Sequence, residues 1–120
     1  MKVKLIQGKG SKGRGGGAGG YYWHIYQGGV RAGHVYINSI EDEVLGKHSS
    51  LSLEVNKTMQ GKGIGTEAYR LASEQSNLPK LYIHIRKTNI ASRKAAEKAG
   101  FKAIETPHNR QLTMLWKLDV

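Results

Sequence analysis

The stretch that decides the fold is Gln60-Gly61-Lys62-Gly63-Ile64-Gly65-Thr66. It follows an alternating apolar segment, 51–55, which predicts a strand, and it precedes a segment with helical periodicity, 67–74. Its glycines bring backbone N–H groups together at the start of a helix, where the helix dipole also favours an anion. The stretch therefore predicts a strand, a loop and a helix that together bind a phosphate-bearing ligand.

Spacing excludes two common phosphate-binding motifs. A P-loop needs a glycine, four residues and then Gly-Lys-Ser or Gly-Lys-Thr, and neither 61–63 nor 8–10 is placed that way. A dinucleotide fingerprint needs a third glycine three positions after the second, and Gly65 is followed by three residues that are not glycine. Nucleoside triphosphate and dinucleotide ligands are therefore not indicated.

Length and composition predict one domain, 1–120. A chain of 120 residues, 13.2 kDa and 38% hydrophobic residues is long enough for one core and too short for two. No apolar run approaches the roughly 20 residues that span a bilayer, and the apolar stretch near the N-terminus is too short for a secretory signal. We therefore expect no membrane association and a cytoplasmic location. The chain has no cysteine, which excludes disulfides, thiolate metal sites and a cysteine nucleophile.

The remaining elements are predicted outward from the motif. Residues 8–20 hold eight glycines together with Lys9, Lys12 and Arg14, which predicts a flexible basic loop. The polar segment 38–48 is predicted to be a second loop, and Gly28-Gly29 a hairpin turn. Predicted strands are 1–7, 21–27, 30–37, 49–56, 81–85, 101–105 and 112–118, with a turn at 107–110 before the last; predicted helices are 62–75 and 90–99. This order indicates a mixed sheet with helices packed on its faces.

Two segments resemble the GNAT superfamily of acyl-CoA-dependent N-acetyltransferases. The first is Gln-x-x-Gly-x-Gly at 60–65, and the second is Asn89-Ile90-Ala91-Ser92 leading to Ala99-Gly100-Phe101. The resemblance covers about 21–118 and is strongest over 49–101. It implies an α+β (mixed α/β) fold with a central, mostly antiparallel twisted sheet of six to seven strands and two main helices, the first-helix region being replaced by the Gly-rich loop. It also implies acetyl-CoA as cosubstrate.

The resemblance implies a cofactor pose as well. Amides from Gly61 through Thr66 would bind the pyrophosphate, strand backbone at 53 and 55 would pair with pantetheine, and Lys62 and Arg93 would neutralise the 3′-phosphate. The implied cofactor-binding residues are Leu53, Val55, Gln60, Gly61, Lys62, Gly63, Ile64, Gly65, Thr66, Asn89, Ser92 and Arg93. Ordinary structural roles stay open for several of them: a tight turn for the glycine loop, a helix cap for Asn89, and a solvated basic face for Lys62 and Arg93. Gly100 is more readily explained as a helix stop.

The catalytic groups are less well indicated. The family commonly places a general-acid tyrosine where this chain has Ala96, so Tyr82, Tyr69 or Tyr22 would have to substitute. Glu54 and His84 lie on neighbouring predicted strands and are the candidate bases, since both could line a cleft where the strands part. The other histidines are His24, His34, His48 and His108. No pair of histidines has metal-site spacing with a supporting carboxylate, so no metal is expected.

Charge and composition leave three functions open. The chain has 19 Lys and Arg against 9 Asp and Glu, a formal charge of +10, which favours a polyanionic partner. The leading hypothesis is an N-acetyltransferase, and the absence of helices between the first two strands favours an acceptor amine on a protein or ribonucleoprotein. The alternatives are a non-catalytic acetyl-CoA or CoA-binding module, motivated by Ala96, and a nucleic-acid-binding protein that uses the basic loop with Tyr21, Tyr22 and Trp23. Core packing is the plainer interpretation of those aromatic residues.

Overall fold

The computed structural model describes residues 2–107 and 111–118. Within them the strands are β1 (Val3–Gln7), β2 (Tyr21–Gln27), β3 (Val30–Asp42), β4 (Gly46–Val55), β5 (Lys80–Arg86), β6 (Lys102–Ile104) and β7 (Gln111–Lys117); the helices are α1 (Ile64–Gln75) and α2 (Ile90–Lys98), with a 3₁₀ turn at Lys57–Met59. The predicted order of elements is confirmed. Most of the predicted turn at 107–110, with His108, lies outside the described residues. No helix within 2–107 or 111–118 is long and apolar enough to cross a membrane.

The described strands form one seven-stranded sheet in the order β1-β2-β3-β4-β5-β7-β6. Every neighbouring pair is antiparallel except β4 and β5, which are parallel and pair at a single position, Ser50 opposite Tyr82. Beyond that position the two strands separate. The predicted mostly antiparallel sheet of six to seven strands with two helices is confirmed.

Both helices lie on one face of the sheet. α1 connects β4 to β5 and α2 connects β5 to β6, in the same direction across the sheet, so right-handed crossovers place them on the same side. α1 packs against β1 to β4 and against α2. The inward side chains of the central strands, including Ile25, Val35, Leu81 and Ile83, are fully or almost fully buried there. The other face, which we call the open face, carries no described helix.

The sequence predicted a loop at 38–48. The structure instead has the end of one strand and the start of the next there. β3 and β4 continue to a tight turn at 43–45, and Asp42 lies opposite Gly46. The Asp42 carboxylate Oδ1 accepts hydrogen bonds from the N–H groups of Val44 at 2.9 Å and Leu45 at 2.6 Å. This side chain closes the turn that polar composition alone made look like an irregular loop.

The Gly-rich segment 8–20 connects β1 to β2, and the sequence predicted no helix in this connection. Asn38 on β3 holds it: its Oδ1 accepts from the N–H of Gly15 at 2.7 Å, and its Nδ2 donates to the carbonyl of Gly13 at 2.9 Å. Gly15 is buried, and a Cβ there would lie 2.1 Å from the Tyr21 carbonyl oxygen. The segment therefore has a defined anchor on the sheet, while its predicted flexibility stays a prediction.

Replacing Asn38 by alanine is expected to destabilise the fold by about 1–2 kcal/mol, because it leaves the buried Gly15 N–H without a partner. Equilibrium urea unfolding measures the change. Asn56→Ala is the matched control, since its side-chain bond to the Arg31 carbonyl is single and exposed. Equal losses in the two variants would contradict the anchoring role of Asn38.

Candidate functional site

A groove of about 530 Å³ opens on the helix-covered side, where β4 and β5 have separated. The end of β4, the start of α1 and one side of α2 form its walls. All predicted cofactor-binding residues except Lys62 and Arg93 line it: Leu53, Val55, Gln60, Gly61, Gly63, Ile64, Gly65, Thr66, Asn89 and Ser92. Tertiary structure thus brings together the two sequence segments that carried the family resemblance.

The N-terminus of α1 faces this groove without a side-chain cap. Gly63, at the N-cap position, has φ 80° and Gly61 has φ 78°, the left-handed region that glycine adopts at least cost. Because no side chain accepts from the first amides of α1, those N–H groups keep donor capacity, and the helix dipole adds positive potential there. This arrangement suits a phosphate group.

Three residues singled out in the sequence, Gln60, Asn89 and Gly100, have structural roles. The Gln60 side chain donates from Nε2 to the carbonyl oxygen of Val55 at 2.9 Å, which ties the glycine loop to the end of β4. Asn89 Oδ1 accepts from the N–H of Ser92 at 3.1 Å, so the helix-cap interpretation of Asn89 is confirmed. Gly100 follows α2 with φ 103°, which confirms it as a helix stop.

The sequence analysis missed two lysines of the groove. Lys94 and Lys98 line it from α2, with Ala91 one turn earlier. Positions 91, 94 and 98 fall on one stripe of a helix, but which stripe faces the groove depends on how α2 packs, so the sequence alone did not single them out. Arg93 is instead next to Glu97, with its Nε 3.3 Å from the carboxylate.

Tyr69 on α1 also lines the groove, as one of the three tyrosines considered in place of Ala96. Its ring packs against Phe101, with ring centroids 5.7 Å apart, and only 3% of the residue is exposed. Burial raises the pKa of Tyr69 to about 12, and a hydrogen bond with the Ser92 side chain opposes this rise. The phenol is therefore neutral and can donate a hydrogen bond across the whole physiological pH range.

The other positions considered for proton transfer are Ala96, Glu54, Tyr82 and His84. Ala96 is fully buried in the core and does not line the groove. Glu54 is exposed and contributes to the groove wall, whereas His84 does not line the groove. Because Glu54 alternates with Leu53 and Val55, its side chain lies on the same open face as His84. Tyr82 and His84 alternate with buried core residues of β5 and so lie on the open face, where the Tyr82 ring contacts His48.

The aromatic residues of β2 are divided between the two faces. Trp23 is 4% exposed and belongs to the core, and Tyr21 stacks on it with ring centroids 5.6 Å apart. Tyr22 points to the open face and stacks on Tyr36 at 6.4 Å. The core-packing interpretation is thus confirmed for Trp23 and Tyr21, which removes them as stacking groups for nucleic acid.

The chain belongs to the GNAT acetyltransferase family: the acetyltransferase (GNAT) domain matches residues 6–102. This confirms the resemblance of the two cofactor segments. No curated protein sequence matches the chain.

Solved structures of acetyltransferases share the fold at low identity. A Bacillus subtilis acetyltransferase in complex with CoA is 13% identical with a TM-score of 0.73, over 98% of this chain and 99% of that one. The Campylobacter jejuni N-acetyltransferase PseH with acetyl coenzyme A is 15% identical with a TM-score of 0.67, over 86% and 71%. The aminoglycoside acetyltransferase AAC(6′)-Ib with acetyl-CoA is 18% identical with a TM-score of 0.65, over 82% and 65%. The present chain thus spans slightly less than two thirds of that enzyme.

Burial of Tyr69 predicts a specific loss of stability at high pH. The unfolded phenol titrates near 10 and the folded one near 12, so between these values only the unfolded state has lost the proton. The free energy of unfolding is expected to fall by about 1.4 kcal/mol per pH unit from this group over that window, and to be unaffected by it below pH 10. The measurement is the free energy of urea unfolding against pH for the wild type and for Tyr69→Phe. The difference between the two profiles isolates Tyr69, because the lysines and the other tyrosines titrate in both proteins. Parallel pH profiles would contradict the assignment.

Proposed function

We propose that the protein is an acetyl-CoA-dependent N-acetyltransferase that transfers an acetyl group to an amine. The observation that carries this proposal is the uncapped, glycine-bearing N-terminus of α1, which faces a groove beside the point where β4 and β5 stop pairing. Membership of the GNAT acetyltransferase family supports it.

The chain supplies the binding groups for the cofactor from three elements. Amides from Gly61 through Thr66 donate to the pyrophosphate, since a phosphate at a helix start accepts several N–H groups at once. The edge of β4 at Leu53 and Val55 faces away from β3 without pairing to β5 in the described structure, so it can pair with the pantetheine amides. The Val55 carbonyl already accepts from Gln60, which makes Leu53 the better placed of the two.

Positive charge for the remaining phosphate comes from the rim of the groove. Lys94 and Lys98 line it from α2, beside Asn89 and Ser92. Lys62 and Arg93 keep their proposed role as additional cations at this end, although neither lines the groove. The excess of basic residues in the chain suits a ligand with several phosphate charges.

The chemistry requires removal of a proton from the amine and stabilisation of the departing thiolate. Acetyl-CoA supplies the activated thioester when bound. Glu54, exposed beside the groove, is the group we assign to proton removal, and His84 on the same face of the sheet stays the alternative base. Tyr69 replaces the missing tyrosine at position 96 as hydrogen-bond donor. With a pKa of about 12 it is a weaker acid than a thiol near 8.5, so it stabilises the thiolate by donation and keeps its own proton.

The acceptor is an amine whose class is left to experiment. The uncovered open face can receive a protein surface, which is the acceptor that the sequence favoured. The comparisons do not support that preference, because AAC(6′)-Ib was solved with aminoglycosides such as kanamycin, which are small molecules. Small amines and protein amines are therefore proposed on equal terms. A non-catalytic CoA-binding module remains the second candidate, on the observation that Ala96 is buried.

Replacing Gly65 by alanine is expected to weaken acetyl-CoA binding by about tenfold or more, which corresponds to 1.4 kcal/mol. An added Cβ would lie 3.8 Å from the Ala95 Cβ and 3.9 Å from a Leu53 methyl, in ordinary contact with two groove residues. It therefore fills the groove without a clash, and alanine in place of a helical glycine stabilises the fold by up to about 1 kcal/mol. Isothermal titration with acetyl-CoA and thermal unfolding measure both effects.

Gly17→Ala is the matched control, because a Cβ there meets nothing within 4 Å and lies far along the chain from the groove. CoA release is then followed with a panel of aminoglycosides, amino acids and a lysine-containing protein mixture. Turnover that depends on an added amine and falls in Gly65→Ala supports the enzyme. Absence of acetyl-CoA binding in the wild type would refute both candidate functions, and binding without turnover on any acceptor would favour the module.

Removing the two groove lysines together, as Lys94→Ala/Lys98→Ala, is expected to weaken acetyl-CoA binding by about tenfold and to reduce its salt dependence, since each partly exposed cation contributes up to about 1 kcal/mol. The measurement is the Kd at two salt concentrations. Lys87→Ala/Lys102→Ala removes the same charge elsewhere and is the control. A larger effect from Lys62→Ala/Arg93→Ala would assign the 3′-phosphate to the residues that the sequence indicated.

A further inference from the structure

A second cluster of ligand-type side chains lies on the open face, away from the groove. Among the described residues, Asp42, His48 and His84 each bring one ligand-type atom to within 4.8 Å of the others. They come from the end of β3, the start of β4 and the middle of β5. We propose that these three side chains form a binding site for a divalent transition-metal ion such as Zn²⁺.

The distance between the two imidazoles fits a metal between them. The Nε2 atoms of His48 and His84 are 3.4 Å apart. Two Zn–N bonds of 2.0–2.1 Å at a tetrahedral angle place their nitrogens about 3.3–3.4 Å apart, so the histidines already have the spacing of a pair of ligands. The Asp42 carboxylate Oδ2 is 4.0 Å from His48 Nε2, and all three ligand atoms lie within 4.8 Å of one another, so the carboxylate would have to approach by about 1.5 Å at most.

Each of the three side chains is oriented by a second contact behind it. His48 Nδ1 is 2.8 Å from the Gly46 carbonyl oxygen, which can only accept, so Nδ1 carries the proton and Nε2 presents its lone pair. Asp42 Oδ1 is held by the turn amides described above, which directs Oδ2 towards His48. His84 Nδ1 is 3.4 Å from the Thr113 hydroxyl on β7. Such supporting contacts are the usual second layer of a metal site.

The donor set and the exposure select the class of ion. Two imidazoles and a carboxylate suit Zn²⁺ and similar transition metals better than Mg²⁺ or Ca²⁺, which prefer oxygen ligands. The His48 side chain is 2% exposed and that of Asp42 32%, so the cluster is closed on one side and reachable from solvent on the other. Three protein ligands leave a fourth position for water or for a donor group of another molecule.

The site would give His84 a role different from proton transfer. An Nε2 lone pair that coordinates a metal cannot also accept a proton from an amine, so occupancy decides between the two roles. His84 lies two residues beyond Tyr82, where β5 begins to separate from β4, which places the ion on the open side of the same fork. The sequence predicted no metal because no two histidines have metal-site spacing along the chain, whereas His48 and His84 are 36 residues apart and meet only in the folded sheet.

The test is isothermal titration of the chelator-treated protein with Zn²⁺, repeated with Co²⁺ to observe the visible absorption of four-coordinate cobalt. We expect one ion per chain, and a loss of affinity of at least about 100-fold in His84→Ala and about 10-fold or more in Asp42→Asn. Asp42→Asn retains an oxygen for the turn amides, so it stays informative if His84→Ala does not fold. His34→Ala removes a histidine of the same face outside the cluster and should bind as the wild type does.

Absence of stoichiometric binding in the wild type, or equal affinity in Asp42→Asn and His34→Ala, would overturn the site. The titration needs no acetyl-CoA, and Gly65→Ala should bind Zn²⁺ as tightly as the wild type. A failed metal site therefore leaves the proposed acetyl transfer untouched, and a failed acetyl transfer leaves the metal site untouched.

Discussion

The parallel pairing of β4 with β5 at Ser50 and Tyr82 is the contact on which the rest of the structure depends. It joins the antiparallel strands β1 to β4 to the antiparallel strands β5 to β7, and it is limited to one paired position. A parallel pair needs a crossover, and that crossover is α1. Because β4 and β5 stop pairing immediately beyond Ser50, a gap opens between them in the sheet. Both candidate sites lie beside this gap.

The two faces of the sheet have different chemistry because the connections differ. Right-handed crossovers put α1 and α2 on one face, where they bury the apolar side chains and frame a groove with amides and lysines. The connection between β1 and β2 is the Gly-rich segment, so the opposite face carries no described helix and presents tyrosines and histidines. The described helices thus frame the groove on one side of the sheet and leave the other side open.

The sequence predicted local structure correctly where that structure depends on consecutive residues. The glycine loop, the start of α1 and the cap at Asn89 follow from local pattern, because amides and caps are properties of neighbouring positions. It was wrong at 38–48, where a single side chain, Asp42, turns a polar stretch into a tight turn. It also missed Lys94 and Lys98, because which stripe of α2 faces the groove depends on how α2 packs against α1.

The sequence by itself determined the family, the order of strands and helices and the glycine loop before α1, since each depends on periodicity and local spacing. Only the tertiary structure decided what meets across elements. It buried Ala96 and placed Tyr69 at the groove, and it brought His48 to His84 from positions 36 residues apart. The physical reason is that strand register and helix packing are set by the whole core, whereas loops and caps are set by their nearest neighbours.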